Sequence, residues 1–192
     1  PHRASNGQRP TLTHCQFKAR TSSSCPLLFA MFYMPRIEEV RSKKPDVAAE
    51  LELTWAATTR AAEVLGVDVA YLEPFQLLRY QPGEFYKAHH DHAGYYDPNG
   101  YPDRPKTMLL FLNDVAKGGC LRFDQLKMEF CPRMGDAIVW SNVDKNGKAD
   151  PDMIHQGLPP QEGVKMAVNI WLRDEPFTSP QQAMQAAAQR QR

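Results

Sequence analysis

Apolar residues recur at helical spacing over one stretch in the first third of the chain. From Pro45 to Gly66 the sequence is rich in alanine and leucine, which favour helices, and Asp46 stands near its start. Glycine is a typical residue to end a helix, and Gly66 closes this stretch. The pattern therefore predicts one long helix that ends at Gly66.

After this helix the pattern changes to short segments of β-branched and aromatic residues. Turn residues separate these segments, among them Pro-Gly, Gly-Gly and Asn-Gly pairs. The predicted strands are 75–80, 85–91, 107–113, 120–123, 127–130, 137–140 and 164–172. Many short strands at this spacing are typical of an antiparallel sandwich or jelly roll. The predicted fold class is therefore mainly β with flanking helices.

Composition predicts one domain with a polar segment at each end. Residues 1–25 are polar and basic and predict an extended lead-in, residues 26–175 predict the folded domain, and residues 176–192 predict a polar tail. A chain of 192 residues suits a single domain with a sizeable core. The two longest loops, 92–106 and 142–153, are interpreted either as substrate lids or as ordinary surface loops.

Charge and hydropathy restrict the classes of partner. The chain has 23 basic and 22 acidic residues, a formal charge of +1, which argues against nucleic acid or a membrane surface bound by bulk electrostatics. No apolar run approaches the roughly 20 residues that a membrane helix requires, so we predict no membrane segment. Because the chain begins at Pro1 rather than Met, we expect an upstream segment, with any signal or anchor, to be missing.

The four cysteines are Cys15, Cys25, Cys120 and Cys131, and none forms the closely spaced pairs of a structural zinc site. Cys120 and Cys131 would face each other if residues 119–132 form a hairpin. A cross-strand disulfide and two free buried thiols both agree with this arrangement. We favour the free thiols.

A His-x-Asp pair provides candidate chemistry. Alternate side chains of a strand share a face, so His89 and Asp91 can converge, while His90 and His92 face the opposite way. A distant strand can supply His155 as a third ligand. Two imidazoles and one carboxylate with open positions are the ligand set of non-haem Fe(II) oxygenases. The pair alone is frequent by chance, so this hypothesis depends on the surrounding motifs.

Further motifs surround this pair over most of the chain. In order they are Tyr80-x-x-Gly83-x-x-Tyr86-x-x-His89-x-Asp91, Leu109 to Asp114, Gly118-Gly119, Pro132 to Ala137, His155-x-Gly157 and Gly163-Val164-Lys165. Together they resemble the prolyl 4-hydroxylase family, a group of Fe(II)- and 2-oxoglutarate-dependent dioxygenases. The ten-residue separation between His155 and Lys165 is the one that this family shows.

The resemblance implies a double-stranded β-helix (a cupin-like jelly roll) and a role for each motif. It implies that Fe(II) is held by the catalytic residues His89, Asp91 and His155, with 2-oxoglutarate and O2 at the open positions. Lys165 is expected to bind the far carboxylate of 2-oxoglutarate through a charge-assisted hydrogen bond. Tyr80 is expected to add a hydroxyl donor to the same carboxylate.

The resemblance also implies a substrate, a reductant and a compartment. The expected substrate is a proline-containing peptide or protein, hydroxylated at C4 with release of succinate and CO2. Ascorbate is expected to restore oxidised iron. The endoplasmic reticulum is the expected compartment, with the cytoplasm as the alternative. Tyr86, Arg104 and Trp171 match positions that line the peptide groove of relatives, and ordinary packing is their alternative interpretation.

Two residues depart from the family pattern. Leu121 replaces a threonine that helps to hold 2-oxoglutarate, and its loss removes one hydrogen bond worth about 0.5–1.5 kcal/mol. Arg173 replaces a histidine that lies near the peptide in relatives. Two alternative functions therefore stay open: an oxygenase with a non-prolyl target, and a catalytically silent peptide-binding module of the same fold.

Overall fold

The computed structural model describes residues 20–27, 30–92 and 103–177. Most of the predicted lead-in, the centre of the predicted loop 92–106 and all of the predicted tail after Phe177 lie outside this part. Within the described ranges, two helices precede nearly all of the strands. Neither helix combines the length and the apolar character needed to cross a bilayer.

Antiparallel strands make up most of the described chain. The elements are β1 (Ser23–Pro26), α1 (Ile37–Lys43), α2 (Pro45–Leu65), β2 (Gln76–Tyr80), β3 (Tyr86–His89), β4 (Lys106–Phe111), β5 (Lys117–Gly118), β6 (Leu121–Phe123), β7 (Met128–Phe130), β8 (Ala137–Ser141), β9 (His155–Gly157), β10 (Pro160–Glu162) and β11 (Lys165–Leu172). Short 3-10 helices lie at Ala30–Phe32, Met34–Arg36, Val69–Tyr71 and Pro151–Met153. The predicted strands are confirmed to within a few residues at each end.

The predicted long helix is confirmed as α2. Pro45 occupies its first turn, where a missing backbone N–H costs nothing. The helix ends at Gly66, which adopts the left-handed conformation with φ of 68°. The preceding helix α1 was not predicted, because none of its residues is buried and its sequence therefore lacks an apolar period.

Two sheets form the body of the domain. The larger sheet has five strands in the order β1-β2-β11-β4-β8, and the smaller has four in the order β3-β9-β6-β7. Every recorded pairing is antiparallel, including that of the short strands β5 and β10. One core cluster joins inner-face residues of both sheets. This sandwich confirms the predicted mainly β jelly roll.

The central strand β11 is buried on both faces. Val168, Ile170 and Leu172 pack in the core cluster that includes residues of α2. Lys165 and Asn169 alternate with them and line a cavity between the two sheets. The fold therefore uses one face of β11 for the hydrophobic core and the other for a polar site.

Cys120 and Cys131 form a disulfide, so our preference for free thiols was wrong. Leu121 pairs with Phe130 across β6 and β7, and the next residues outward are the two cysteines, with Cα atoms 4.0 Å apart. Side chains at directly opposed positions lie close enough for a bond. The sequence places the hairpin, but it carries no information on the oxidation state of the thiols.

Removing this disulfide is expected to lower the free energy of unfolding by about 3 kcal/mol, because the bond joins residues 11 apart and restricts the unfolded chain. Urea unfolding of a Cys120→Ser/Cys131→Ser variant measures the loss. Cys25→Ser is the matched control, since Cys25 is exposed and unbonded. Equal unfolding midpoints for the double variant and the parent protein would contradict the prediction.

Candidate active site

The three candidate ligands His89, Asp91 and His155 come together at one end of the smaller sheet. His89 ends β3 and pairs with His155, which begins β9. The ligand atoms of all three side chains lie within 4.8 Å of one another. The predicted strand 85–91 ends at His89, so Asp91 lies beyond it, at a bend. The ligands are brought together by the pairing of β3 with β9 and by this bend. The predicted cause, a face of one strand shared by His89 and Asp91, was wrong.

Both imidazoles present Nε2 to the Asp91 carboxylate. The distances are 3.6 Å from His89 Nε2 to Oδ1 and 3.7 Å from His155 Nε2 to Oδ2. Nδ1 of His89 lies 2.8 Å from the Lys87 carbonyl, and Nδ1 of His155 lies 2.9 Å from the Met153 carbonyl. Because a carbonyl only accepts, each Nδ1 carries a hydrogen, and Nε2 is the nitrogen that each ring can offer to a metal.

The protonation states also suit a metal cation. Burial lowers the pKa of His155 to about 4, so its ring is neutral near pH 7. Burial opposes ionisation of Asp91, but His155, His89 and Arg104 outweigh it and hold the pKa of this carboxyl below its usual range. Neutral imidazoles and an ionised carboxylate are the forms that bind metals.

The rival pair His90 and His92 does not join this centre. Nε2 of His90 lies 2.9 Å from the Asp150 carbonyl, and its Nδ1 accepts from the His92 backbone N–H at 3.0 Å. Nε2 of His92 lies 3.6 Å from Asp103 Oδ1. Both rings therefore make polar contacts beside the centre, and neither joins the group of candidate ligands.

His89, His155 and Lys165 line one small cavity that opens to solvent. Its lining also includes apolar residues such as Leu78, Leu109 and Leu121. Metal ligands and a cation in one cavity match the chemistry of an acid that binds a metal through one carboxylate and the cation through a second.

Lys165 is a buried cation that lines this cavity. Lys165 is 1% exposed. Its ammonium lies 4.9 Å from the centroid of the Tyr80 ring and 5.4 Å from that of the Phe111 ring. Burial lowers the pKa of Lys165 to about 8, and no acidic side chain of the described residues offsets this effect. A buried charge without a partner is costly, so the ammonium is suited to receive an anionic ligand.

Two tyrosines border the same cavity. Tyr80 pairs with Lys165 across β2 and β11, and burial raises its pKa. Tyr86 stacks on the His89 ring with centroids 3.7 Å apart. Burial raises the pKa of Tyr86 to about 12, so its hydroxyl stays neutral. The expected contacts of these tyrosines with cosubstrate and peptide stay predictions.

Arg104 and Trp171 lie behind the Asp91 carboxylate. The Arg104 guanidinium donates to both carboxylate oxygens of buried Glu73, at 2.8 and 3.2 Å, and lies 4.0 Å from the centroid of the Trp171 ring. The Trp171 indole N–H donates to Asp91 Oδ2 at 3.1 Å. Their predicted place in a peptide groove stays a prediction, while these contacts give them a second role that the sequence did not reveal.

Sequence reasoning missed Thr107 and Asn142. The Thr107 hydroxyl donates to Asp91 Oδ2 at 2.7 Å, and the Asn142 amide donates to Thr107 Oγ1 at 2.8 Å. The available signal was a polar residue at an inward position of the otherwise apolar stretch 107–111. The sequence alone could not show that Asp91 and Asn142 are the hydrogen-bond partners of Thr107.

The two departures from the family pattern lie in different places. Leu121 lines the cavity and is 3% exposed. The Arg173 guanidinium lies 4.3 Å from the centroid of the Phe177 ring. Of the two, Leu121 borders the candidate site.

The second predicted loop, 142–153, is a compact turn. Val143 and Ala149 bridge its base, and the Asp144 carboxylate accepts from the backbone N–H groups of Asn146 and Lys148 at 2.8 and 2.9 Å. Its role as a lid stays a prediction.

The sequence matches the family described as the 2OG-Fe(II) oxygenase superfamily over residues 75–173. Prolyl 4-hydroxylase 13 of Arabidopsis thaliana is 35% identical over 124 residues, covering 56% of this chain and 45% of that protein. Human prolyl 4-hydroxylase subunit alpha-1 is 30% identical over 120 residues, covering 60% of this chain and 22% of that protein. The chain thus spans less than half the length of these curated relatives.

A solved structure shares the fold. The viral collagen prolyl hydroxylase of Paramecium Bursaria Chlorella virus-1, solved as a 2OG complex, superimposes with a TM-score of 0.57 at 22% identity, covering 80% of this chain and 79% of that one. This likeness confirms the fold, and the curated relatives confirm the predicted resemblance to the prolyl 4-hydroxylase family.

Proposed function

This chain belongs to the 2OG-Fe(II) oxygenase superfamily, and from that membership we propose that it is an Fe(II)- and 2-oxoglutarate-dependent dioxygenase that hydroxylates peptidyl proline and releases succinate and CO2. The observation that carries the proposal is the convergence of His89, Asp91 and His155 beside a cavity that Lys165 also lines. The Arabidopsis and human relatives, both named as prolyl 4-hydroxylases, support the prolyl target.

The donor set fits Fe(II). Nitrogens of His89 and His155 and the ionised Asp91 carboxylate would hold the metal and leave positions open for 2-oxoglutarate and O2. Bound iron would supply the activation of O2 and the oxidation of an unactivated C–H bond. The backbone carbonyls behind His89 and His155 hold both rings in the orientation that this binding requires.

Lys165 is proposed to bind the far carboxylate of 2-oxoglutarate. The buried ammonium would gain a charge-assisted hydrogen bond, and the apolar walls would exclude water from the bond. Tyr80 is proposed to add a donor beside it. Exclusion of water also limits side reactions of the activated centre.

Mass spectrometry of proline-rich peptides incubated with the protein, Fe(II), 2-oxoglutarate and ascorbate tests the proposal. We expect a mass gain of one oxygen on proline. Succinate release stimulated only by proline-free peptides would instead favour an oxygenase with another target. Absence of turnover with every peptide would favour a silent binding module.

A Leu121→Thr variant is expected to bind 2-oxoglutarate about 2- to 10-fold more tightly, because one added hydrogen bond contributes about 0.5–1.5 kcal/mol. Leu121 lines the cavity, so a hydroxyl there can reach a bound ligand. Calorimetric titration of 2-oxoglutarate into metal-loaded protein measures the change. Leu121→Val, which shortens the side chain without a hydroxyl, is the control and should not tighten binding.

We also propose an oxidising compartment, the endoplasmic reticulum, and ascorbate as the reductant. The Cys120–Cys131 disulfide supports this compartment, since disulfides are rare in cytosolic proteins. Loss of activity over successive turnovers without ascorbate, and its recovery on addition, tests the reductant. Microscopy of the tagged full-length protein tests the compartment.

A further inference from the structure

A chain of hydrogen bonds leads from Asn142 through Thr107 to the Asp91 carboxylate. The Asn142 amide donates to Thr107 Oγ1 at 2.8 Å, and the Thr107 hydroxyl donates to Asp91 Oδ2 at 2.7 Å. Asn142 is 0% exposed and Thr107 is 1% exposed, so bulk water does not compete for these bonds. Asn142 Nδ2 and the Thr107 hydroxyl have partners, while Asn142 Oδ1 is buried and has no partner among the described residues.

The direction of this chain is fixed by the Arg104 carbonyl. Nδ2 of Asn142 also lies 2.9 Å from that oxygen, which can only accept. This end of the amide is therefore the NH2 group, with one hydrogen for Arg104 and one for Thr107. Since Thr107 Oγ1 accepts from Asn142, its own hydrogen is left for Asp91.

A second donor reaches the same carboxylate oxygen. The Trp171 indole N–H donates to Asp91 Oδ2 at 3.1 Å. A carboxylate oxygen offers two lone-pair sites, and Thr107 and Trp171 occupy both on Oδ2. Oδ1 lies 3.6 Å from His89 Nε2 and Oδ2 lies 3.7 Å from His155 Nε2, so both oxygens border the candidate metal position. Because Thr107 and Trp171 occupy the lone-pair sites of Oδ2, Oδ1 is the oxygen left for a metal.

We propose that Thr107 and Asn142 are positioning residues that, together with Trp171, keep Asp91 a ligand through one oxygen. A carboxylate that bound through both oxygens would take a further coordination position. 2-Oxoglutarate and O2 need three open positions, so a second bound oxygen would compete with them. The inference rests on the proposed function, because it assigns these residues to the same metal centre.

Cobalt binding to the purified metal-free protein tests the inference without turnover. Thr107→Val keeps the shape of the side chain and removes the donor, and Thr107→Ser keeps the donor. We expect the Co(II) dissociation constant to rise roughly 10- to 100-fold for the valine variant. We expect the serine variant to stay close to the parent protein. Equal affinity of both variants and the parent would overturn the inference.

Asn142→Asp tests the direction of the hydrogen bonds. A carboxylate at position 142 can only accept, so it would turn the Thr107 hydroxyl away from Asp91. We expect weaker Co(II) binding, as for Thr107→Val, and unchanged binding would overturn the role of Asn142.

A second readout is 2-oxoglutarate binding to the cobalt-loaded variants. Thr107→Val is expected to weaken this binding and to change the visible absorption of the bound cobalt, because the ligand set around the metal changes. A side chain that only packs would leave the absorption unaltered, and that result would overturn the inference. Circular dichroism of the metal-free forms comes first, and Trp171→Phe carries the same test if the valine variant does not fold.

Different results would overturn the proposed function and the positioning roles. A parent protein that binds no Co(II) at the His89, Asp91 and His155 centre would overturn the proposed function. A parent that binds Co(II), with variants that all bind it equally well, would overturn only the positioning roles.

Discussion

Replacing His155 with alanine is expected to abolish metal-dependent hydroxylation. His155 supplies one of only three protein ligands in the proposed centre, and its buried position leaves no other described histidine or carboxylate to replace it. Loss of an outer hydrogen-bond partner costs roughly 10- to 100-fold in metal affinity, and loss of a ligand itself should exceed that. Co(II) titration measures the affinity, and peptide mass spectrometry measures the loss of the added oxygen.

His90→Gln is the matched control for this prediction. His90 is buried as deeply as His155, at 5% exposure against 4%, but its Nε2 contacts the Asp150 carbonyl and not the centre. A glutamine amide can still donate to that carbonyl, so metal affinity should stay near that of the parent protein. Retained hydroxylation by His155→Ala, or equal losses in both variants, would contradict the assignment of ligands.

The sequence predicted most of the fold because local pattern and final environment agree there. The sequence of helix α2 has apolar residues at helical spacing and a glycine, Gly66, at its end. The strands alternate with turn residues. The helix α1 lacks buried residues and gave no pattern. The short strands β5 and β10 depend on each other for pairing, which no local pattern contains.

The spacing of the motifs identified the candidate ligands in the sequence. The geometry of these ligands could not be predicted in this way. Asp91 lies at a bend past β3, and its convergence with His155 depends on the pairing of β3 with β9. Thr107 and Asn142 are 35 residues apart and contact each other only in the folded chain. Long-range contacts of this kind are invisible to a single sequence, and the oxidation state of a cysteine pair is too.

Lys165 has the second large expected effect. Lys165→Met is expected to weaken 2-oxoglutarate binding roughly 10- to 100-fold, because a hydrogen bond to a charged group contributes about 1.5–3 kcal/mol. Methionine fills similar space, so the cavity keeps its shape. Calorimetric titration of 2-oxoglutarate into cobalt-loaded protein measures the change, and unaltered affinity would contradict the role of Lys165.

The same substitution should stabilise the free protein. The pKa of Lys165 falls from 10.5 to about 8 on folding, so burial of the charge costs about 3 kcal/mol when the pH is below 8. The parent protein should therefore gain unfolding free energy as the pH rises from about 8 to 10.5, while Lys165→Met should lack this gain. A residue that destabilises the fold yet supports binding is expected at a functional site.

The pH dependence of binding separates the charge of Lys165 from its shape. In the free parent protein the pKa of Lys165 is about 8, so 2-oxoglutarate affinity should be constant below that pH and fall about tenfold per unit above it. The Lys165→Arg variant keeps its positive charge up to about pH 12. Its affinity for 2-oxoglutarate, whether higher or lower than that of the parent protein, should therefore not change between pH 8 and 10. If the 2-oxoglutarate affinity of the parent protein also stays constant between pH 8 and 10, the ammonium of Lys165 does not bind the ligand. A lysine that binds an anion loses affinity for it when the ammonium loses its proton.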